Sequence, residues 1–202
     1  MRTVKRRFHS MQRFVFEHQK SGDHKMNCIY KYSSPIGSIT ISTNGTALTG
    51  LWFDGQKYFA QTLSEPYEEK LLPVFEDTIK WLDIYFGGAV PDFTPELYVH
   101  STPFRKAVYD ILLTIPYGQT MTYGKIAEIL AQQTGKKKMS AQAVGGAVGH
   151  NPISIIIPCH RVVGADGKLT GYSGGIDRKS FLLALEGNTI CTSHCKASRK
   201  VP

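Results

Sequence analysis

The sequence predicts an α+β protein in two parts, a small antiparallel sheet covered by one helix, then three short helices joined by tight turns. Three observations predict it. Apolar and polar residues alternate within 29–53, one apolar stripe recurs at steps of three and four over 72–86, and capped helical segments follow Pro103. A chain of 202 residues that is 42% hydrophobic and 20% charged can bury such a core. Its longest aliphatic run, Ile155-Ile156-Ile157, is far short of the roughly 18 apolar residues that a membrane-spanning helix needs, so no membrane is expected as partner.

The first 25 residues are basic and lack an apolar signal core, so they read as a weakly ordered arm (1–25) ahead of a folded part that starts at Met26. In the first domain (26–95), Ile39 and Ile41 alternate with Thr40 and Ser42, Asn44-Gly45 is a hairpin signal, and Leu48, Leu51, Trp52 and Phe53 follow. Leu72, Phe75, Ile79, Leu82 and Phe86 share a helical face, and Gly87-Gly88 stops the helix. Residues 89–102, with Pro91 and Pro95, read as a connection.

The second domain (102–187) opens with Pro103 at a helix start and a stripe of Phe104, Val108, Ile111, Leu112 and Ile115, ended by Pro116-Tyr117-Gly118. Thr122 caps a second helix, with Ile126, Ile129 and Leu130 inward, and Ser140 caps a third, Ala141 to Gly149. Short helices with tight turns in a basic domain suggest a helix-turn-helix. The third helix is nearly stripped of long side chains, although each glycine costs about 1 kcal/mol relative to alanine in a helix interior. Its thinness permits close approach to another helix of the core, the commoner reason, or to a narrow minor groove. Only Gln142 could read a base edge. Residues 188–202 read as a flexible basic tail.

The net charge of +8 is uneven: residues 26–102 carry four bases against nine acids, and residues 103–190 carry ten against five. A basic back half suits a polyanion, nucleic acid first. Four scattered cysteines fit no disulfide framework and point to a reducing compartment, hence a cytoplasmic protein, or a nuclear one in a eukaryote. Cys191, His194 and Cys195 lack a fourth convincing ligand and Cys28 stands alone, so neither metal nor organic cofactor is expected.

An apolar, strand-like run from Ile153 to Ile157 leads through Pro158 into Cys159-His160-Arg161. A thiolate is the nucleophilic form of cysteine, and free cysteine with a pKa of about 8.5 is little ionised at neutral pH, so neighbouring imidazole and guanidinium groups would activate it. A buried structural cysteine beside a surface His-Arg pair is the other reading of the same residues.

The string IPCHRVVG, preceded by AVGGAVGHNP and followed by GYSGG and LLALEG, resembles the signature of the O6-alkylguanine-DNA alkyltransferases, also called methylated-DNA-protein-cysteine methyltransferases. The match runs from about Thr102 to Gly187; the front half is similar only in layout. The resemblance implies a small ribonuclease-H-like N-terminal α/β domain, a winged helix-turn-helix-like C-terminal domain, and single-turnover repair of double-stranded DNA. The protein would act as a monomer, taking the alkyl group of O6-alkylguanine, with O4-alkylthymine a further candidate, after flipping the base out through the minor groove. It also implies roles. Cys159 would be the acceptor thiol, His160 would take its proton through a water, and Glu186 would orient the imidazole. Asn151 would be the hinge between DNA-binding helix and reactive turn, with a plain helix cap as the alternative. Tyr123 would protonate the leaving guanine, Tyr172 and Ser173 would form a lid, and backbone near Cys159 and Val162, beside Arg161, would hold the base. Ala141, Gln142, Ala143, Gly145 and Gly146 would face DNA.

One position departs from the pattern: where many members carry an arginine that fills the gap left by the flipped base, this chain has Gln142, which lacks charge and planar stacking. Gly149 likewise stands at an often basic position, and Lys136-Lys137-Lys138 offers a substitute phosphate contact. Two other functions compete. A non-catalytic alkylated-DNA sensor of alkyltransferase-like type would normally lack Cys159, and a thiol hydrolase using Cys159, His160 and Glu186 would need an oxyanion hole and would turn over.

Overall fold

The computed structural model describes residues 27–188. The arm and the tail cysteines, Cys191 and Cys195, lie outside the described residues.

Strands β1 (Asn27–Ser34), β2 (Gly37–Thr43) and β3 (Leu48–Phe53) form an antiparallel meander. The alternation buries Ile39 and Ile41. At the Asn44-Gly45 turn, Asn44 Oδ1 accepts hydrogen bonds from the Ala47 and Thr46 amides at 2.9 and 3.1 Å, and Gly45 takes φ +95°, a value open to glycine. A fourth strand, β4 (Tyr67–Glu69), pairs in parallel with β1 and gives the order β3-β2-β1-β4. All three of its residues are exposed, so it carries no alternation for sequence reading to find.

Helix α1 (Pro73–Phe86) begins with proline in its first turn and runs to Gly87, as expected. Its buried face is rotated from the expected one. Phe75 and Leu82 are buried, but Trp81 and Tyr85 join them while Ile79 and Phe86 are only half-buried. The helix covers the sheet and also abuts the second domain, where Tyr85 packs edge-on to Tyr117. Part of the connecting stretch extends the sheet: the Leu48 amide donates to Glu96 O and the Tyr98 amide to Leu48 O, at 2.8 and 2.9 Å.

In the second domain, Thr102, Thr122 and Ser140 accept hydrogen bonds from the first-turn amides of α2 (Pro103–Leu113), α3 (Tyr123–Gln133) and α4 (Ala141–Gly149). The three helices pack on one another, and α2 stops at Leu113, before the proline expected to end it. Two short parallel strands, β5 (Met121–Thr122) and β6 (Val162–Val163), join the start of α3 to the segment after Cys159. Helix α5 (Ile176–Leu185) ends with Glu186 at its C-cap. One buried cluster runs from Ile41 and Leu82 through Val108 and Leu112 to Ile126, so the two domains share a core. Among the described residues, no helix is long and apolar enough to cross a membrane.

The run from Ile153 to Ile157 is not a strand. Ile153 makes one isolated bridge to Leu51, with the Leu51 amide donating to Pro152 O and the Ser154 amide to Leu51 O. The chain then turns, Ile155 taking φ +68° and the Ile157 amide donating to Ile153 O at 3.1 Å. A β-branched residue at positive φ is strained, by an amount of order 1–3 kcal/mol, and persists only where surrounding contacts fix it. Here the whole turn is buried, and it aims the chain at Cys159.

Candidate active site

Cys159 opens a single 3-10 turn (Cys159–Arg161) and is 2% exposed. Asn151, just after the cap of α4, fastens this turn. Its Nδ2 donates to Ile157 O at 2.8 Å, to Cys159 Sγ at 3.0 Å and to Ile153 O at 3.1 Å, while Oδ1 accepts from the Ile153 amide at 3.0 Å. The helix cap itself is His150. Asn151 therefore joins the end of α4 to the sulfur, and its N–H is placed to favour a thiolate.

Behind the thiol lies a buried charged cluster. His160 Nε2 and Glu186 Oε1 are 2.7 Å apart, with neither side chain exposed. Arg161 does not face the sulfur. Its Nε and Nη2 donate to the Glu186 carboxylate at 2.9 and 3.0 Å, and its Nη1 donates to Ile115 O at 2.6 Å. The Gly118 amide donates to Glu186 Oε2 at 3.1 Å. Burial pushes the Glu186 carboxyl up, but the hydrogen bonds and charges of His160 and Arg161 outweigh it and hold the pKa down at about 2. Burial lowers His160 below the ordinary imidazole range despite Glu186, so the ring is neutral at rest. Burial also raises the Cys159 thiol against the opposing Asn151 hydrogen bond and Lys179 charge, so the activation expected from adjacent cations does not prevail at rest. His160 Nδ1 is buried with no hydrogen-bond partner among the described residues.

A groove of about 640 Å³ runs between α4 and the segment 170–173, lined by Tyr123, Gln142, Gly145, Gly146, Tyr172 and Ser173 among others. Ser173 Oγ is buried with no hydrogen-bond partner among the described residues, while the buried Tyr172 Oη faces Ser154 and the Cys159 thiol without a well-formed hydrogen bond. Burial pushes both Tyr123 and Tyr172 phenols up, so each is a neutral donor. The segment 172–174 is tied to the first domain: the Lys57 amide donates to Ser173 O at 3.0 Å, and Arg178 bridges Gly174 O and Ile36 O at 3.2 and 3.1 Å. Ala141, Gln142 and Ala143 are exposed at the start of α4. The Val162 carbonyl accepts from the buried Lys179 ammonium, which also donates to Thr170 O at 3.0 Å.

The glycines of α4 are not a packing requirement. A Cβ added at Gly146 or Gly149 would meet nothing within 4 Å, and one at Gly145 would make only ordinary 3.8 Å contact with the Tyr123 ring. The commoner explanation, a tight helix contact in the core, is thereby overturned, because these residues line the groove instead. Among the described residues no group of three or more His, Cys, Asp or Glu could hold a metal ion.

Sequence reasoning missed three residues near the site: Tyr85, Lys179 and Lys57. Tyr85 Oη donates to Glu186 Oε1 at 2.8 Å and lies 3.4 Å from His160 Nε2. A tyrosine three residues beyond Leu82 on the inward face of a helix needs a partner for its hydroxyl, and that need was the available signal.

Two family models match the chain: the ribonuclease-like domain of 6-O-methylguanine DNA methyltransferase over residues 29–98, and the DNA binding domain of the same over 103–188. A methylated-DNA-protein-cysteine methyltransferase of Mycobacterium bovis is 47% identical over 156 residues, covering 76% of this chain and 88% of its own. Crystallised O6-methylguanine methyltransferase of Mycobacterium tuberculosis is similar with a TM-score of 0.69 at 42% identity, covering 83% of this chain and 98% of its own. The OGT of the same organism in complex with DNA gives 0.67 at 44% identity, covering 79% and 92%.

Proposed function

Because the chain belongs to the 6-O-methylguanine DNA methyltransferase family, we propose that it repairs DNA by moving the alkyl group of O6-alkylguanine, once and irreversibly, onto Cys159 Sγ. The observation that carries this reading is the sulfur itself, buried 3.0 Å from Asn151 Nδ2 beside the His160–Glu186 pair.

The alkyl carbon is saturated, so the simplest transfer is an in-line displacement with guanine as leaving group, and no oxyanion hole is needed. Such a step requires a thiolate, a base to take the thiol proton, and a donor for the departing purine. His160 is neutral and can accept the proton through a water at Nδ1, while Glu186 stabilises the imidazolium formed. A carbon–sulfur bond forms as the carbon–oxygen bond breaks, and the Tyr123 phenol supplies the proton that guanine takes up. The imidazolium then gives up the thiol's proton to solvent and the Tyr123 phenolate regains one from it, so the net reaction moves one proton from sulfur to guanine and restores both side chains. Water does not readily cleave the thioether, so each molecule acts once.

A duplex hides its bases, so the nucleotide must be rotated out at a cost of a few kcal/mol. The thin α4 suits a minor-groove approach, with Gln142 at the rim as the side chain closest in position to the vacated stack. Ser173 Oγ, buried without a hydrogen bond, and Tyr172 Oη, only loosely engaged beside the sulfur, are groups a flipped base would satisfy. One chain supplies every group, so the active form is a monomer.

Incubation with DNA containing O6-methylguanine should add one methyl, about 14 Da by this displacement chemistry, to Cys159 and no other residue. Repeated turnover would favour a hydrolase, and tight binding without transfer a lesion sensor. Cys159→Ala should retain DNA binding and lose transfer.

A further inference from the structure

We propose that Tyr85, delivered by the first domain, is a positioning residue for proton transfer from Cys159. Its hydroxyl, bound to Glu186 Oε1, fixes and weakens the carboxylate partner of His160 so that the imidazole stays a free base. The inference rests on the alkyl-transfer reading, since it concerns the base of that reaction.

The geometry is specific. Glu186 Oε1 accepts from His160 Nε2 at 2.7 Å and from Tyr85 Oη at 2.8 Å, so the two groups compete for one oxygen. Among the described residues, the other donors to this carboxylate, Arg161 and the Gly118 amide, come from the second domain, and Tyr85 is the one from the first. Its ring is held on several sides, stacked on Trp81 at 5.4 Å and edge-on to Phe86, Tyr117 and His160 at 5.5, 6.0 and 6.4 Å. A phenylalanine would fill the same space. What it would lack is the hydroxyl.

Burial and the adjacent Glu186 charge keep the phenol protonated, so toward the carboxylate it acts only as a donor. Each neutral donor to an anion disperses its charge and lowers its pull on a neighbouring cation. Taking the Tyr85 donor away strengthens the attraction of Glu186 for a protonated His160. The imidazole then holds a proton to higher pH and is lost as an acceptor. The other charged groups acting on His160 among the described residues are Arg161 on its own turn and Lys179 on α5, and neither changes when only the Tyr85 hydroxyl is removed.

The test uses the full chain. Single-turnover methyl transfer from O6-methylguanine duplex to Cys159 is followed against pH for the wild type and Tyr85→Phe, alongside NMR titration of the labelled His160 ring in the free proteins. In Tyr85→Phe the acid limb of transfer and the imidazole midpoint should both move up by about 0.5–1 pH unit, a roughly three- to tenfold slower transfer on that limb. Replacing Tyr85 with 3,5-difluorotyrosine, a stronger donor of the same shape, should move both the other way, and this arm decides the matter if Tyr85→Phe does not fold. A uniform loss of rate with unmoved limb and midpoint would mean a packing role and overturn the proposal. If the wild type transfers no methyl to Cys159, the alkyl-transfer reading falls, while the ring titration still decides what Tyr85 does to His160.

Discussion

Replacing Gly145 and Gly146 together by alanine sets helix stability against DNA contact. Both lie in the interior of α4, and neither added methyl group would clash, the closest atoms to a Cβ at Gly145 being Tyr123 ring carbons at 3.8 Å. With no packing cost, each substitution should gain the helix-propensity difference of about 0.8–1 kcal/mol, so about 2 kcal/mol for the pair. For a domain of this size, about 2 kcal/mol corresponds to a rise in Tm of roughly 4–8 °C, readable by calorimetry. The same methyl groups project into the groove, so affinity for lesion duplex, measured by fluorescence anisotropy at fixed salt, should fall by about tenfold, or about 1.4 kcal/mol. A protein that melts earlier would show that the glycines serve packing after all. One that melts later but binds DNA unchanged would show that α4 does not approach the duplex by its backbone.

Glu186→Gln removes the counter-charge of buried Arg161 and should cost about 3–5 kcal/mol in urea unfolding, whereas a loss below about 1 kcal/mol would deny the pair its structural weight. Stability should decline on acidification in two stages. His160 is depressed below 6.5, so an unfolded chain binds a proton there that the folded one refuses, and stability drops first as pH falls below that value. Glu186, depressed from 4.5 to about 2, contributes stability fully present above pH 4.5 and lost as pH falls toward 2; urea melts flat from pH 7 to pH 4.5 would contradict the first stage, and melts flat from pH 4.5 to pH 2 the second. Gln142→Arg should tighten binding to lesion duplex and steepen its salt dependence by about one unit of log–log slope, and an unchanged slope would remove this residue from the phosphate or stack contacts.

The local chemistry of the sequence was a good guide where contacts are local. Thr102, Thr122 and Ser140 start their helices because their hydroxyls reach amides three residues on, and Asn44-Gly45 turns the chain for a similarly short-range reason. Reading failed where distant partners decide. The Ile153 to Ile157 run has the composition of a strand, yet Leu51 bridges only its first residue and Asn151 bends the rest around itself. Tyr85 drew no notice on its helix, because its partner, Glu186, is 101 residues away. Cys159, His160 and Glu186 were found through a motif, but the turning of Arg161 away from the sulfur was not. Adjacent side chains on a 3-10 turn point in different directions, and the buried carboxylate claims the guanidinium.

On the proposed single-use reaction, that diversion bears on how the sulfur stays available until a lesion arrives. A cysteine ionised at rest would be open to oxidation and to any passing alkylating agent. Here the Arg161 guanidinium is engaged by Glu186, burial raises the thiol, and burial lowers the imidazole, so the resting pair is neutral on both sides. The Asn151 hydrogen bond and the Lys179 charge favour the thiolate, but at rest they do not overcome desolvation. The Glu186 charge likewise favours imidazolium without overcoming it. Separating the pair into thiolate and imidazolium is thus unfavourable at rest yet already supported on both sides. An alkylated base entering the groove supplies an electrophilic carbon that consumes the thiolate as it forms, which couples ionisation of the sulfur to arrival of the lesion.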